Sequence, residues 1–197
     1  MASFILVHGS WHGGWCFDAV KALLEADGHE VIAPDLPGMG GDEAALRAVT
    51  LQGWAEFVAD LCRTATQQPV ILAGHSRGGL VISQTTEIAA EAVDALVYIC
   101  AMMLPDGMSR ADFKQMEGAN PPFDAIIAPV HNGAGTMVDR QRAGAVFAIA
   151  RVVMPLHQAV GQGGEVPGRG EGLPVLDKLT RVHRAEEIDS CRQPTGV

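Results

Sequence analysis

The 197-residue chain is 48% apolar, enough to bury one substantial core, and it is too short for two domains of ordinary size. Its formal net charge of −9, from 23 acidic against 14 basic residues, leaves no basic footprint for nucleic acid or an anionic membrane surface. No apolar run reaches the length of a membrane-spanning helix, and the opening "FILV" is too short, and lacks the preceding basic segment, to be read as an export signal.

Cysteines stand at Cys16, Cys62, Cys100 and Cys191, far apart and with no CxxC pair. That spacing suggests neither a zinc site nor a dithiol redox motif, and free thiols in a reducing cytoplasm are the expectation. No metal or organic cofactor is expected.

In chain order, "SFILVH" (residues 3–8) reads as a buried strand. A glycine-rich loop follows, and "FDAVKALLEADGH" then puts Val20, Leu23 and Leu24 on one helical face and ends at Gly28. "EVIAPD" (residues 30–35) is the next strand, and "LPGMGGD" a loop crowded by Pro and Gly. Thr50 is placed to cap "LQGWAEFVADLCRTA", whose Trp54, Phe57, Val58 and Leu61 share a face.

"PVILAG" is then a strand, "GGLVISQTTEIAAEA" a helix and "ALVYICAMML" a long buried strand. Four strands alternating with three helices before Pro105 predict an α/β fold, a mostly parallel sheet with helices on both faces. Residues 1–104 would be the βα core of a single domain and residues 105–138 a cap-like excursion of helical and irregular segments.

Residues 139–197 read as an atypical, partly flexible tail. Residues 1–137 carry 16 acidic and 6 basic side chains, whereas residues 138–197 carry 7 and 8. "GQGGEVPGRGEG" (residues 161–172) is half glycine and suits neither a helix nor an interior strand. "ARVVMPL" is the best later strand candidate, and residues 180–188 a weak helix.

The chemistry centres on "VILAGHSRGGLVI" (residues 70–82). Gly74-His75-Ser76-Arg77-Gly78 fits G-x-S-x-G between a strand and a helix, where a sharp turn lifts a serine hydroxyl above the sheet edge. The following helix start adds the Arg77 N–H and a positive partial charge, both suited to a developing oxyanion. "LVHGSWHGGWCF" (residues 6–17) places a His-Gly pair after the first strand, where this architecture puts its second oxyanion donor. That donor would be the Ser10 N–H, with Gly9 permitting the backbone turn.

The segments "VHGSWHGGWCF", "LLEADGHEVIAPDLPGMG", "VILAGHSRGG" and "YICAMMLPDGMS" together resemble the α/β-hydrolase superfamily, and most of all its small esterases related to plant methyl esterases and hydroxynitrile lyases. The likeness covers residues 4–138. It implies an α/β-hydrolase fold with a Ser, acid and His triad, Ser76 as nucleophile, and the Ser10 and Arg77 main chains as oxyanion donors. The plant lyases of this group carry threonine at the position matching Gly9 and a Glu-Ser-Cys elbow where this chain has His75-Ser76-Arg77, so the likeness is to the esterase branch.

The acid and base are harder to find. In this family they follow the serine in that order, and no segment here matches their usual surroundings. His131, His157 and His183 follow Ser76, and Asp139, Glu165, Glu171 and Asp177 lie between Ser76 and His183. Asp177 with His183 has the correct order, while Asp106 sits in "LPDG", a turn shared by esterases and lyases of the group. His8 and His12 read as loop-bonding and pocket-lining residues, and His75 as a packing residue. The late gain of arginines, the glycine-rich run and the loss of strand patterns suggest a truncated or altered relative with a sheet incomplete at its C-terminal end.

The expected activity is cleavage of small apolar carboxylic esters through an acyl-enzyme on Ser76. Gly9 and Trp11 are candidate substrate contacts, and Trp15, Phe17, Met102 and Met103 candidates for an apolar pocket. A hydroxynitrile lyase-like enzyme and a weakly catalytic ligand-binding relative are the alternatives. The expected partner is a small ester, with no nucleic acid or membrane. Apolar sheet surface left open by missing strands would favour homo-oligomers.

Overall fold

The computed structural model describes residues 1–139 and 141–143. They fall into two compact units, one of Met1–Asn120 with Ala128–Met137, the other of Pro121–Ile127 with the described residues from Val138 onward. The "ARVVMPL" segment, the glycine-rich run and residues 180–188 lie outside the described residues.

The first unit is built on a four-stranded parallel sheet in the order β2-β1-β3-β4, with β1 Ser3–Val7, β2 Glu30–Ile32, β3 Val70–His75 and β4 Ala95–Ile99. All five residues of β1 are buried, as expected of a central parallel strand covered on both faces, which reads as an unbroken apolar run. The α-helices are α1 Asp18–Ala26, α2 Glu43–Arg47, α3 Leu51–Thr64, α4 Gly78–Ala89 and α5 Arg110–Glu117. The core joins Ile5 and Val7 of β1, Val70 and Leu72 of β3, Trp54, Val58 and Cys62 of α3, and Val81 and Ile82 of α4. Each fully buried aliphatic side chain contributes about 1.5–3 kcal/mol relative to exposure.

The caps follow the sequence. Thr50 accepts the Gly53 N–H at 2.9 Å to start α3. At the opposite edge of the sheet from the site, the Glu30 carboxylate takes the Ser3 hydroxyl together with the N–H and hydroxyl of Thr66, at 2.7 and 2.8 Å for the latter two. These bonds, Ser3 first, hold Glu30 below the ordinary carboxylate range.

Four differences from the sequence reading stand out. β2 ends at Ile32 rather than residue 35, since its register with β1 stops at Ile5 and Pro34 has no N–H for a ladder. The apolar run from Ala95 does not form a long buried strand. β4 stops at Ile99, its residues are only half-buried or exposed, and Cys100 turns out of the ladder at φ 43°. α2, capped by Asp42 accepting the Ala45 N–H, adds a fourth helix over residues left unassigned between the "LPGMGGD" loop and Thr50, so four helices rather than three precede Pro105. Within the cap-like stretch, β5 Ile127–Val130 pairs with β6 Gly135–Val138. Asn132, between these strands, donates to Glu43 of α2 at 2.9 Å.

In the second unit, α6 Pro121–Asp124 precedes the buried Ile126, whose carbonyl accepts the Asp139 N–H at 2.8 Å. Arg142 Nη1 donates to the Ala125 carbonyl at 2.8 Å.

Candidate active site

The strand order puts the site where it is. From β1 the chain goes to β2 on one side, then crosses to β3 on the other, so the loops after β1 and β3 part at the carboxyl edge of two adjacent strands. That divergence is where open α/β sheets bind ligands. Val7 is in register with Gly74, which brings residues 8–13 and the Ser76 turn side by side.

Ser76 sits at φ 53°, in the left-handed region. For a residue with a Cβ this conformation costs about 1–3 kcal/mol and persists only where the surroundings impose it. Here they do. The Ser76 N–H donates to the Ile99 carbonyl at 3.3 Å, and the Ser76 carbonyl accepts from Met102 at 2.8 Å and Gly79 at 3.1 Å.

Glycines close in around the turn. A Cβ on Gly78 would lie 2.5 Å from the Val7 carbonyl oxygen, one on Gly79 2.2 Å from that of Met102, and one on Gly9 2.8 Å from Ser76 Cβ. The two flanking glycines of the motif therefore answer to packing: Gly74 to Gly78 backbone, Gly78 to β1.

The loop after β1 is pinned from below. His8 is fully buried, and its Nε2 accepts the Leu36 N–H at 3.1 Å, so Nδ1 carries the proton and donates to the Gly9 carbonyl at 2.9 Å. Burial lowers the His8 pKa below its ordinary 6.5. With both nitrogens committed and the ring neutral, His8 is a loop brace, as read from the sequence, and no base. Asp35 Oδ1 accepts the Gly14 N–H at 2.7 Å and holds the far end of the same loop. Among the described residues, neither the Ser10 nor the Arg77 backbone N–H donates to a protein acceptor.

A pocket of about 380 Å³ opens at Ser76, walled by Cys100 to Leu104, with Phe113 and Glu117 of α5. Met102 and Met103 line it as the sequence suggested; Cys100, Ala101 and Leu104, beside them in the chain, were not foreseen, nor were Phe113 and Glu117, which α5 brings to the pocket through tertiary packing. Trp11, Trp15 and Phe17 are not among the lining residues. Trp11 Nε1 donates to Thr136 Oγ1 at 3.0 Å, Trp15 stacks on His12 with centroids 5.7 Å apart, and Phe17 is buried.

The His75 ring meets His12 edge-on at 5.8 Å. Among the described residues no imidazole hydrogen-bonds the Ser76 hydroxyl. His131 is exposed. Asp106 lies in a turn closed by the Met108 N–H on the Pro105 carbonyl at 3.1 Å, in keeping with a structural "LPDG". Asp139 Oδ1 accepts the Gln141 N–H at 2.9 Å within the second unit. His157, Glu165, Glu171, Asp177 and His183 lie outside the described residues.

Arg77 presents a second finding that composition did not foreshadow. Its guanidinium carbon lies 4.5 Å from the Trp54 ring centroid, Nη2 is 3.5 Å from Met39 Sδ, and Nε is buried with no hydrogen-bond partner among the described residues. Burial lowers its pKa, and the Arg110 charge adds to the effect. The Trp54 contact contributes about 0.5–2 kcal/mol. Against it stand an unsatisfied buried donor, about 1–3 kcal/mol, and a cation at a helix N-terminus, about 0.3–1 kcal/mol.

The chain belongs to the alpha/beta hydrolase family, whose model matches residues 4–185. It is 35% identical over 183 residues to a pyrethroid hydrolase of Sphingobium wenxiniae, covering 91% of this chain and 60% of that protein. With a carbendazim hydrolyzing esterase of Nocardioides it shares 40% identity over 111 residues, 55% of this chain and 46% of the relative. Methylesterase 1 of Arabidopsis thaliana is 37% identical over 127 residues, 62% and 48% of the two chains. A solved pyrethroid hydrolase structure matches with a TM-score of 0.64 at 33% identity, over 79% of this chain and 65% of that one. The chain thus spans less than two thirds of the length of these relatives.

Proposed function

We propose that the chain is a serine carboxylesterase that cleaves small apolar esters through an acyl-enzyme on Ser76. The observation that carries this reading is Ser76 held at φ 53° by backbone bonds to Ile99, Met102 and Gly79 and by close-packed glycines, on the wall of a pocket that Met102, Met103, Leu104 and Phe113 also line. Ser76 Oγ attacks the ester carbonyl carbon and gives up its proton to a base; the carbonyl oxygen takes the negative charge opposite the Ser10 and Arg77 N–H groups. Collapse of that intermediate expels the alcohol, and water then releases the acid. The relatives, named as hydrolases and esterases, support the reaction class.

Asp177 and His183 are the proposed acid and base, on chain order alone. The reaction as proposed draws on no metal or cofactor, and the free thiols of Cys16, Cys62 and Cys100 fit a reducing cytoplasm. Gly9 speaks against the lyase alternative: a side chain at this position, such as the threonine of plant lyases, would press on Ser76 Cβ at 2.8 Å.

Turnover of short-chain and aryl esters by the full chain, against Ser76→Ala as control, tests the proposal. Hydrolysis that disappears in the variant is the expected result. Cyanide release from mandelonitrile without ester hydrolysis would favour the lyase, and ligand binding without turnover the weakly catalytic relative.

A further inference from the structure

Arg77 is poorly placed for a structural cation. It opens α4, where unpaired backbone N–H groups already carry positive partial charge. The ion pairs found among the described residues use Lys21, Arg47 and Arg63, so no carboxylate there neutralises it. Its neighbours are the face of Trp54 and the sulfur of Met39, both weak partners. Stacking on Trp54 alone would be served by an uncharged side chain of similar length. The charge is what the packing leaves unexplained.

Negative charge is expected one residue away. When Ser76 is acylated, the substrate's carbonyl oxygen becomes an oxyanion next to the Arg77 main chain. We propose that the Arg77 guanidinium is an electrostatic positioning residue for acyl transfer, a cation that Trp54 and Met39 seat apart from the carboxylates of the described residues, so that its field favours the oxyanion formed at Ser76. This rests on the ester-hydrolase reading of Ser76.

The field of Arg77 already reaches the oxyanion loop, since its charge is one of the influences that lower the His8 pKa. Partial burial limits screening by salt, and a fixed charge in such surroundings needs no reorganisation as the oxyanion forms. A carboxylate partner would cancel this field, which accounts for a buried Nε left without one.

The test compares wild type with Arg77→Met, Arg77→Gln and Arg77→Lys, reading kcat and KM on a neutral ester, the rate of fluorophosphonate labelling, and Tm. Arg77→Met and Arg77→Gln are expected to lower kcat and the labelling rate about tenfold with KM within about twofold, as for a contribution made in the transition state. Arg77→Lys is expected to restore most of the rate, and Tm in Arg77→Met to stay level or rise. Wild-type rates in Arg77→Met and Arg77→Gln, or a raised KM at constant kcat, would overturn the inference. So would a lowered Tm in Arg77→Met with an unchanged labelling rate, the mark of a purely structural stack. If wild type itself shows neither turnover nor labelling at Ser76, the ester reading fails and this inference falls with it.

Discussion

The inner and outer walls of the candidate site are held in different ways. On the inner side, the elbow between β3 and α4 and the loop after β1 are locked by backbone: Gly78 against β1, Gly79 against Met102, and Gly9 against Ser76. On the outer side, α5 contributes Phe113 and Glu117 through a helix with no buried residues. Its start is secured by a local capping box between Ser109 and Asp112. Ser76 is positioned by contacts that leave no room for an added atom, whereas the pocket's outer lining rests on a few side chains that substitution can reshape.

Breaking the inner wall should have the largest effect. Gly79→Val would drive a side chain into the Met102 carbonyl, 2.2 Å from an added Cβ, and is expected to leave no soluble folded protein on gel filtration. Next comes His8→Ala, which strands the buried Leu36 N–H and the Gly9 carbonyl and should lower stability by about 3 kcal/mol in urea titration. The same residue sets a pH dependence. Because its folded pKa is depressed, the unfolded chain binds the proton first, and stability is fully present above pH 6.5 and lost as pH falls through the lower folded value. Tm should decline below pH 6.5 in wild type, and His8→Ala should flatten that part of the curve.

Ser76→Gly relieves the left-handed strain and should raise stability by about 1 kcal/mol while abolishing turnover. Sharpening the contrast from the outer side, Ser109→Ala removes the α5 cap, worth about 1 kcal/mol locally. It should barely move Tm, and should raise KM for bulky esters with kcat nearly unchanged.

The two walls were also unequally legible. The sharp turn at Ser76, the close backbone approach at Gly9 and the strands beside them could be read because each strand is a contiguous apolar run and each glycine answers to a backbone approach within one local motif. The run from Ala95 misled because apolar residues do not reveal where a ladder stops; the turn at Cys100 is dictated by the Met102 bond to Ser76, a contact across the sheet. α2 was hidden in a Pro- and Gly-rich surrounding, although Asp42 three residues before Ala45 was its capping signal. Phe113 and Glu117 as lining residues, and the seat of Arg77 on Trp54, depend on how separate helices pack, and spacing along the chain does not encode that.

Treating the folded full chain with a fluorophosphonate probe and locating the adduct by peptide mass spectrometry decides whether Ser76 is an activated nucleophile. Rapid labelling at Ser76, lost in Ser76→Ala, is the expected result. Folded protein with an unmodified Ser76, or an adduct at another residue, would contradict it.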